Sequence, residues 1–196
     1  MKIPAENLTV VTAPSEEPIT LDEAKDHLRV VESAEDDLIE GFIAAARELA
    51  EEQAWRTFVT TVYDGFLEGW PKDGAIELAR PPIQSVASVK YTDSDGVEQT
   101  FSAASWQLVA AGGFGRVMLR YGESWPTATL QTGLPIVVRY TAGYGAAAAL
   151  PERVKSLLKL LVGALYEHRE AVVMQSGAAV AEMPAVGWIL SGLRAW

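Results

Sequence analysis

The chain of 196 residues contains no cysteine and only two histidines. Without cysteine it forms no disulfide and carries no thiolate chemistry, which argues against a small secreted scaffold. His27 and His168 lie on separate predicted helices, and neither has a second histidine three or four residues away. Zinc and di-iron sites need clustered ligands, so the sequence predicts no metal and no cofactor.

Long apolar runs are also absent, although 49% of the residues are hydrophobic. No stretch approaches the roughly 20 apolar residues that cross a membrane. The first residues, Met1 to Asn7, lack the apolar run of a signal peptide. We therefore expect a folded protein that is made in the cytoplasm and has no membrane partner.

Basic residues are scarce, with 16 Lys and Arg against 26 Asp and Glu and a net charge of −10. Residues 1–56 carry 14 acidic and 5 basic groups, so the excess lies at the N-terminal end. Sequence-independent DNA binding needs clustered cations to neutralise phosphates. The acidic N-terminal third argues against such DNA binding; it suits a surface that DNA passes without binding, or simply a solvated helical face.

Helical patterns open and close the sequence. Thr20 and Glu23 form a capping box that predicts a helix from Leu21. A second helix follows Ser33 and runs to about Trp55, with apolar residues at helical spacing. A third begins at Pro151, where proline suits the first helical turn.

Between the helices the apolar period changes to two, which predicts short strands separated by Gly and Pro turns. The six predicted strands are 59–63, 75–79, 86–91, 106–109, 116–121 and 136–140. The predicted fold class is α+β: an N-terminal helical pair, a central small antiparallel β module, a long C-terminal helix and an extended tail. The predicted boundaries are 1–56 for the helices, 57–149 for the β module, 150–170 for the C-terminal core helix and 171–196 for a flexible docking arm with a short terminal helix.

The sequence contains no complete motif for calcium binding, phosphate binding or a serine nucleophile. Asp93 to Gly96 lacks the carboxylates that a calcium loop requires at its first and last positions, and is better interpreted as a hairpin turn. The glycines at 112–115 lack the Lys-Ser/Thr of a phosphate loop, which leaves a hairpin loop. No serine lies in a Gly-x-Ser-x-Gly elbow. We expect no enzymatic activity.

Two alternatives stay open for the β module. Trp70, Trp106 and Trp125 are candidates for a carbohydrate- or ligand-binding platform, although tryptophan at strand ends more often belongs to a core or an interface. Carboxylates in the same module leave room for an uncharacterised hydrolase.

The C-terminal end has the clearest functional signal, because free chain ends fray and exposed apolar clusters mark interaction surfaces. Small residues at 177–184 make a poorly packing linker. The candidate docking residues beyond it are Trp188, Ile189, Leu190, Leu193, Arg194 and Trp196. A tail folded back on the β module in the free subunit is the alternative.

The assembled order resembles the head-to-tail connector (adaptor) proteins of long-tailed bacteriophages and of gene transfer agents. The matching segments are 18–30, 36–39, 44–48, 78–91, 140–145 and 150–172. No single segment is diagnostic, but their order and spacing together are specific to the family.

This resemblance implies a ring of copies, commonly a dodecamer, beneath the portal protein in the virion neck. Such a ring extends the DNA channel, lets double-stranded DNA pass without specific binding, and meets a stopper or tail-terminator protein. It also implies that 171–196 is an arm that docks into the portal. The family usually ends in Tyr-Arg near the final helix, whereas this chain ends Leu193-Arg194-Ala195-Trp196.

Overall fold

The computed structural model describes residues 1–72, 74–168 and 184–193, and within them it has helices and antiparallel sheets in roughly equal measure. The predicted α+β class is confirmed. The helices are α1 (Leu21–Leu28), α2 (Asp36–Ala54), α3 (Glu152–Glu167) and α4 (Pro184–Leu193). The strands are β1 (Leu8–Thr12), β2 (Thr61–Leu67), β3 (Ala75–Glu77), β4 (Ile83–Thr92), β5 (Glu98–Phe101), β6 (Trp106–Ala111), β7 (Phe114–Leu119) and β8 (Ile136–Ala142).

The chain divides into two compact units. The β unit comprises residues 1–14 and 60–144, and the helical unit comprises 15–59 and 145–196. Residues 1–14, which the sequence prediction grouped with the N-terminal helices, contribute a short 3₁₀ helix and β1 to the β unit. Since β1 is only five residues long and mostly exposed, it has little of the alternation that reveals a strand.

Two antiparallel sheets form the β unit. One has five strands in the order β1-β2-β8-β4-β5, and the other has three in the order β3-β7-β6. The strand β8 is central in the first sheet, where Tyr140 lies opposite Tyr63 on β2 and Val86 on β4. All six predicted strands overlap observed ones, while β1 and β5 were not predicted.

A single apolar cluster fills the β unit. Both sheets contribute to it, and Ile76, Val89, Val117, Ile136 and Val138 are fully buried. Tyr140 is also fully buried, and its hydroxyl donates to the Ala79 carbonyl oxygen at 3.0 Å. Because burial penalises the phenolate, the pKa of Tyr140 is raised above its ordinary value.

The helical unit begins with the predicted capping box. The Thr20 hydroxyl accepts from the Glu23 backbone N–H at 3.1 Å, and the Glu23 carboxylate accepts from the Thr20 backbone N–H at 2.9 Å. The backbone hydrogen bond from Thr20 is the main reason that the pKa of Glu23 lies below its ordinary value. This arrangement satisfies two of the free N–H groups at the start of α1.

The core of the helical unit lies where α1, α2, α3 and α4 pack on one another. The buried face of α2 consists of Ile39, Ile43, Ala46, Ala50 and Ala54. Leu38 and Leu49 recur at the same helical spacing as these residues, but they are 39% and 45% exposed. They lie beside the buried face of α2, so the apolar surface of this helix extends beyond the part that its neighbours cover.

The helix α3 packs against α1, α2 and α4. Val154, Leu157, Leu158 and Val162 are buried, and Leu160 and Leu165 are half-buried. Within the described residues, no helix combines the length and the hydropathy that crossing a membrane would require.

Candidate functional site

The short helix α4 lies against α2 and α3 in the helical unit. Its ten residues include no charged side chain. Ile189 and Leu190 are half-buried, whereas Leu193 has no exposed surface. Among the described side chains of α4, Leu193 is the one that is fully buried.

One polar contact fixes the end of α4. The Arg56 side chain, just beyond the C-terminal end of α2, donates from Nε to the carbonyl oxygen of Leu193. A carbonyl in the last turn of a helix has no partner within the helix, and a cation there also complements the helix dipole. Arg56 therefore supports the folded-back position of α4.

The predicted docking residues are described only in part. Ile189, Leu190 and Leu193 lie on α4 as stated above. Trp188 lies in the same helix, but its side chain is outside the described part of the chain, and Arg194 and Trp196 are outside it altogether. The part of the predicted arm at 169–183 is likewise outside the described residues. Leu193, at the end of α4, is buried within the helical unit.

An acidic surface accompanies this site on α1 and α2. The exposed carboxylates are Asp22, Asp26, Asp37, Glu40, Glu48 and Glu52. Arg47 is drawn into pairs with Glu17 at 2.8 Å and Glu51 at 3.4 Å, so this cation is already neutralised. The surface is suited to repel phosphate rather than to bind it.

The tryptophans of the β unit form a packed cluster. Trp70 stacks on Trp125 with ring centroids 5.0 Å apart and planes 12° apart, and Phe101 contacts both rings. Both indole N–H groups of the stack are buried and have no hydrogen-bond partner among the described residues.

The third tryptophan of the suggested carbohydrate platform, Trp106, is only 7% exposed, and its indole N–H donates to the Phe101 carbonyl oxygen at 3.4 Å. A platform of all three rings is therefore not present, because Trp106 belongs to the core.

The glycine-rich motifs are hairpin turns, as predicted. Gly96 has φ +79° between β4 and β5, and the Asp93 carboxylate accepts from the Asp95 and Val97 backbone N–H groups at 3.0 Å. Gly112 and Gly113, with φ +61° and +87°, connect β6 to β7. The described residues contain no cluster of three His, Asp or Glu side chains arranged to hold a metal ion.

Sequence reasoning missed Arg56. The contact that it makes with Leu193 joins residues 137 positions apart, and no spacing rule connects them. The one available signal was a basic residue directly after a long acidic helix.

Comparison with known proteins agrees with this fold. Residues 18–107 match the family model of phage gp6-like head-tail connector proteins. A chain in the neck of an empty gene transfer agent particle, computed with C6 symmetry, is 26% identical with a TM-score of 0.78. A chain from the virion of a native gene transfer agent particle is 25% identical with a TM-score of 0.77.

A third structure, the neck of a native gene transfer agent particle computed with C12 symmetry, shares the fold at 24% identity and a TM-score of 0.72. Each of the three matches covers 96% of this chain and 95% of the other chain. None of the curated proteins matches this sequence.

The predicted resemblance to head-to-tail connectors is therefore confirmed. The family match covers α1, α2 and the strands β2 to β5, and the structural matches extend the likeness over nearly the whole chain. This chain is thus similar to phage head-tail connector proteins and to chains from the neck and the virion of gene transfer agent particles.

Proposed function

We propose that this protein is the structural head-tail adaptor of a phage or phage-like particle, forming a ring beneath the portal that extends the DNA channel and joins head to tail. The observation that carries the proposal is the likeness to a neck chain over 96% of the sequence, with a TM-score of 0.78. Its place is the virion neck, after synthesis in the bacterial host cytoplasm. The role is structural and involves no catalysis.

Ring formation is supported by the surface of the helical unit and by the symmetry of its structural relatives. Leu38 and Leu49 lie on the same flank of α2 and are 39% and 45% exposed, and an exposed apolar patch commonly marks a contact surface. The neck structures that resemble this chain were computed with C6 and C12 symmetry. A ring of twelve copies accommodates both, and its contacts join different faces of neighbouring copies.

The acidic surface of α1 and α2 supports a role beside DNA rather than on it. In a channel, fixed negative charge repels the phosphate backbone, so double-stranded DNA passes without specific binding. Folded adaptors of this kind need a partner on either side, which in this proposal are the portal protein and a stopper or tail-terminator protein.

The C-terminal arm is the proposed portal-docking element, with Trp188, Ile189, Leu190, Leu193, Arg194 and Trp196 as its contact residues. The apolar composition of α4 supports this role, because aromatic and aliphatic anchors dominate the energetics of interfaces. Leu193 is fully buried against its own unit, so docking through it requires α4 to leave α2 and α3. Release of α4 would then accompany binding to the portal.

The test is mass-resolved binding of the purified protein to its cognate portal ring. The intact chain is expected to decorate the portal as a ring, and a chain truncated before Val186 is expected to lose binding. Leu190→Ser removes one apolar contact without shortening the chain and is expected to weaken binding. Gly41→Ala, at an exposed position of α2 with open space around its Cβ, is the control outside the arm and should bind normally.

Two outcomes separate the parts of the proposal. If the intact chain does not bind the portal and remains a monomer in its presence, the adaptor function is wrong. If the truncated chain binds as well as the intact one, ring formation on the portal is still supported, but the C-terminal arm is not the segment that docks.

A further inference from the structure

A long loop, residues 120–135, connects β7 to β8 and so passes from the three-stranded sheet to the five-stranded one. Loops of more than about 12–15 residues with no helix or strand of their own are uncommon in compact domains and are often functional. Every residue from 120 to 134 is exposed except Trp125, Pro126 and Leu130. Few side chains therefore attach this loop to the sheets.

The two ends of the loop are fixed by backbone hydrogen bonds, whereas its middle is not. The Arg120 N–H donates to the carbonyl oxygen of the residue before β6 at 3.0 Å, and the Gln131 N–H donates to that of Thr92 on β4 at 3.1 Å. Residues 121–128 are called the strap. Among the described residues, the strap backbone makes one hydrogen bond, from the Glu123 N–H to the Arg120 carbonyl oxygen within the loop itself. The strap is therefore attached to the sheets by side chains, of which Trp125 is the largest.

Trp125 joins the strap to an aromatic cluster. Its ring stacks on Trp70 with centroids 5.0 Å apart, and the Phe101 ring lies 5.5 Å from it. Tyr91 contacts Trp70 edge-on at 5.6 Å. Since Tyr91 lies on β4 and Phe101 on β5, the strap covers an aromatic surface of the five-stranded sheet.

Two unpaired donors oppose this closed position. The indole N–H groups of Trp70 and Trp125 are both buried and have no partner among the described residues, although a buried tryptophan N–H usually finds one. Burying such a donor unpaired shifts an equilibrium by about 5- to 140-fold against the state that buries it. An aromatic pair favours its own state by about 2- to 12-fold beyond the area that it buries. The buried ring area therefore holds the strap closed against two opposing contributions.

We infer that the strap opens locally, withdrawing Trp125 from Trp70 and uncovering Tyr91 and Phe101 while both sheets stay folded. Opening lets water pair with both indole N–H groups, which removes the cost that the closed position carries. Gly122, with φ +82° and open space around it, gives the backbone a turning point at the start of the strap. The open state presents an aromatic surface that the closed state hides. This inference does not depend on the adaptor function, because it rests on the β unit alone.

The indole N–H groups themselves report the opening. Their hydrogen–deuterium exchange is followed by NMR on the isotope-labelled full-length chain, and the signals of its six tryptophans are assigned with single Trp→Phe variants. Trp106 is the internal reference, because its N–H donates to the Phe101 carbonyl oxygen and its ring is in the core. We expect Trp70 and Trp125 to exchange at one common rate, at least about tenfold faster than Trp106, since local opening precedes unfolding of the unit.

A shape-conserving replacement tests the cost of the unpaired donor. Trp125→benzothienylalanine keeps the bicyclic ring and puts sulfur in place of the N–H. The closed state then loses one of its two costs, so exchange of the Trp70 N–H should slow by about fivefold or more. The same replacement at Trp106 is the matched control. It removes a paired N–H, so it should lower the midpoint of thermal unfolding and should not slow exchange at Trp70.

Two results would overturn the inference. If Trp70, Trp125 and Trp106 exchange at the same rate, the stack opens only when the whole unit unfolds and the strap does not move by itself. If the replacement at Trp125 speeds exchange at Trp70, the Trp125 N–H has a partner such as a buried water, and the closed position carries no cost. Should the replacement prevent folding, the three rates in the wild type decide the question.

Discussion

Leu193→Ala tests whether α4 is held in its folded-back position by the contact that the structure shows. Leu193 is fully buried, and truncating a buried leucine to alanine costs about 2–5 kcal/mol. The lower value applies here, because the residue lies at the end of a short helix whose surroundings can relax. Since α4 makes its main contacts with α2 and α3, we expect the cost to fall on the local opening of α4.

A loss of about 2 kcal/mol raises the population of the open form about 30-fold. Hydrogen exchange read by mass spectrometry measures this directly. The peptide that covers 187–193 should exchange about 30-fold faster in Leu193→Ala, and the peptide that covers β8 should be unchanged. Loss of protection throughout the chain would mean that α4 is part of the global fold and not a separable element.

Gly187→Ala supplies a control of opposite sign. The ideal Cβ at this exposed helical position meets no atom within 4 Å, and alanine stabilises a helix interior by about 0.5–1 kcal/mol over glycine. Exchange in 187–193 should therefore slow by a few fold. If Leu193→Ala leaves exchange unchanged while Gly187→Ala slows it, Leu193 does not hold the helix and the reasoning from burial fails.

Two further predictions concern the stability of the fold. Gly115→Ala should lower the free energy of unfolding by about 1–3 kcal/mol, because the new Cβ would lie 2.7–2.9 Å from Ile83 side-chain atoms. Gly41→Ala has open space around its Cβ and should raise the free energy of unfolding, so urea unfolding of the two variants compares a crowded glycine with an open one. Burial raises the pKa of Tyr140, so only the unfolded chain loses this proton above about pH 10 and stability falls as pH rises further. In Tyr140→Phe the free energy of unfolding should lose this fall at alkaline pH. At neutral pH it should be about 1–2 kcal/mol lower than in the wild type, since the Ala79 carbonyl loses its donor. If denaturant titrations show the same pH dependence in the variant, Tyr140 is not the group responsible.

The helices were predictable because their signals are local. The capping box at Thr20 fixed the start of α1, and apolar periodicity followed by Trp55 fixed the end of α2 within one residue. The hairpin turns at Gly96 and Gly112 were predictable for the same reason, since a left-handed backbone favours glycine at those positions.

Features that depend on distant contacts could not be predicted. The strand β5 has one buried residue, Phe101, so it has no alternating pattern to detect. Leu38 and Leu49 share the helical period of the core of α2, yet only the packing of its neighbours decides that they are exposed. The contact of Arg56 with Leu193 follows from tertiary arrangement alone.

The central claim is tested most directly by electron cryo-microscopy of the full-length protein bound to its cognate portal, reconstructed without imposed symmetry. The account predicts a closed ring of this chain coaxial with the portal, the acidic surface of α1 and α2 beside the channel, and density for the C-terminal arm in the portal. Isolated copies bound at random positions, or a portal left bare at saturating concentration, would contradict it.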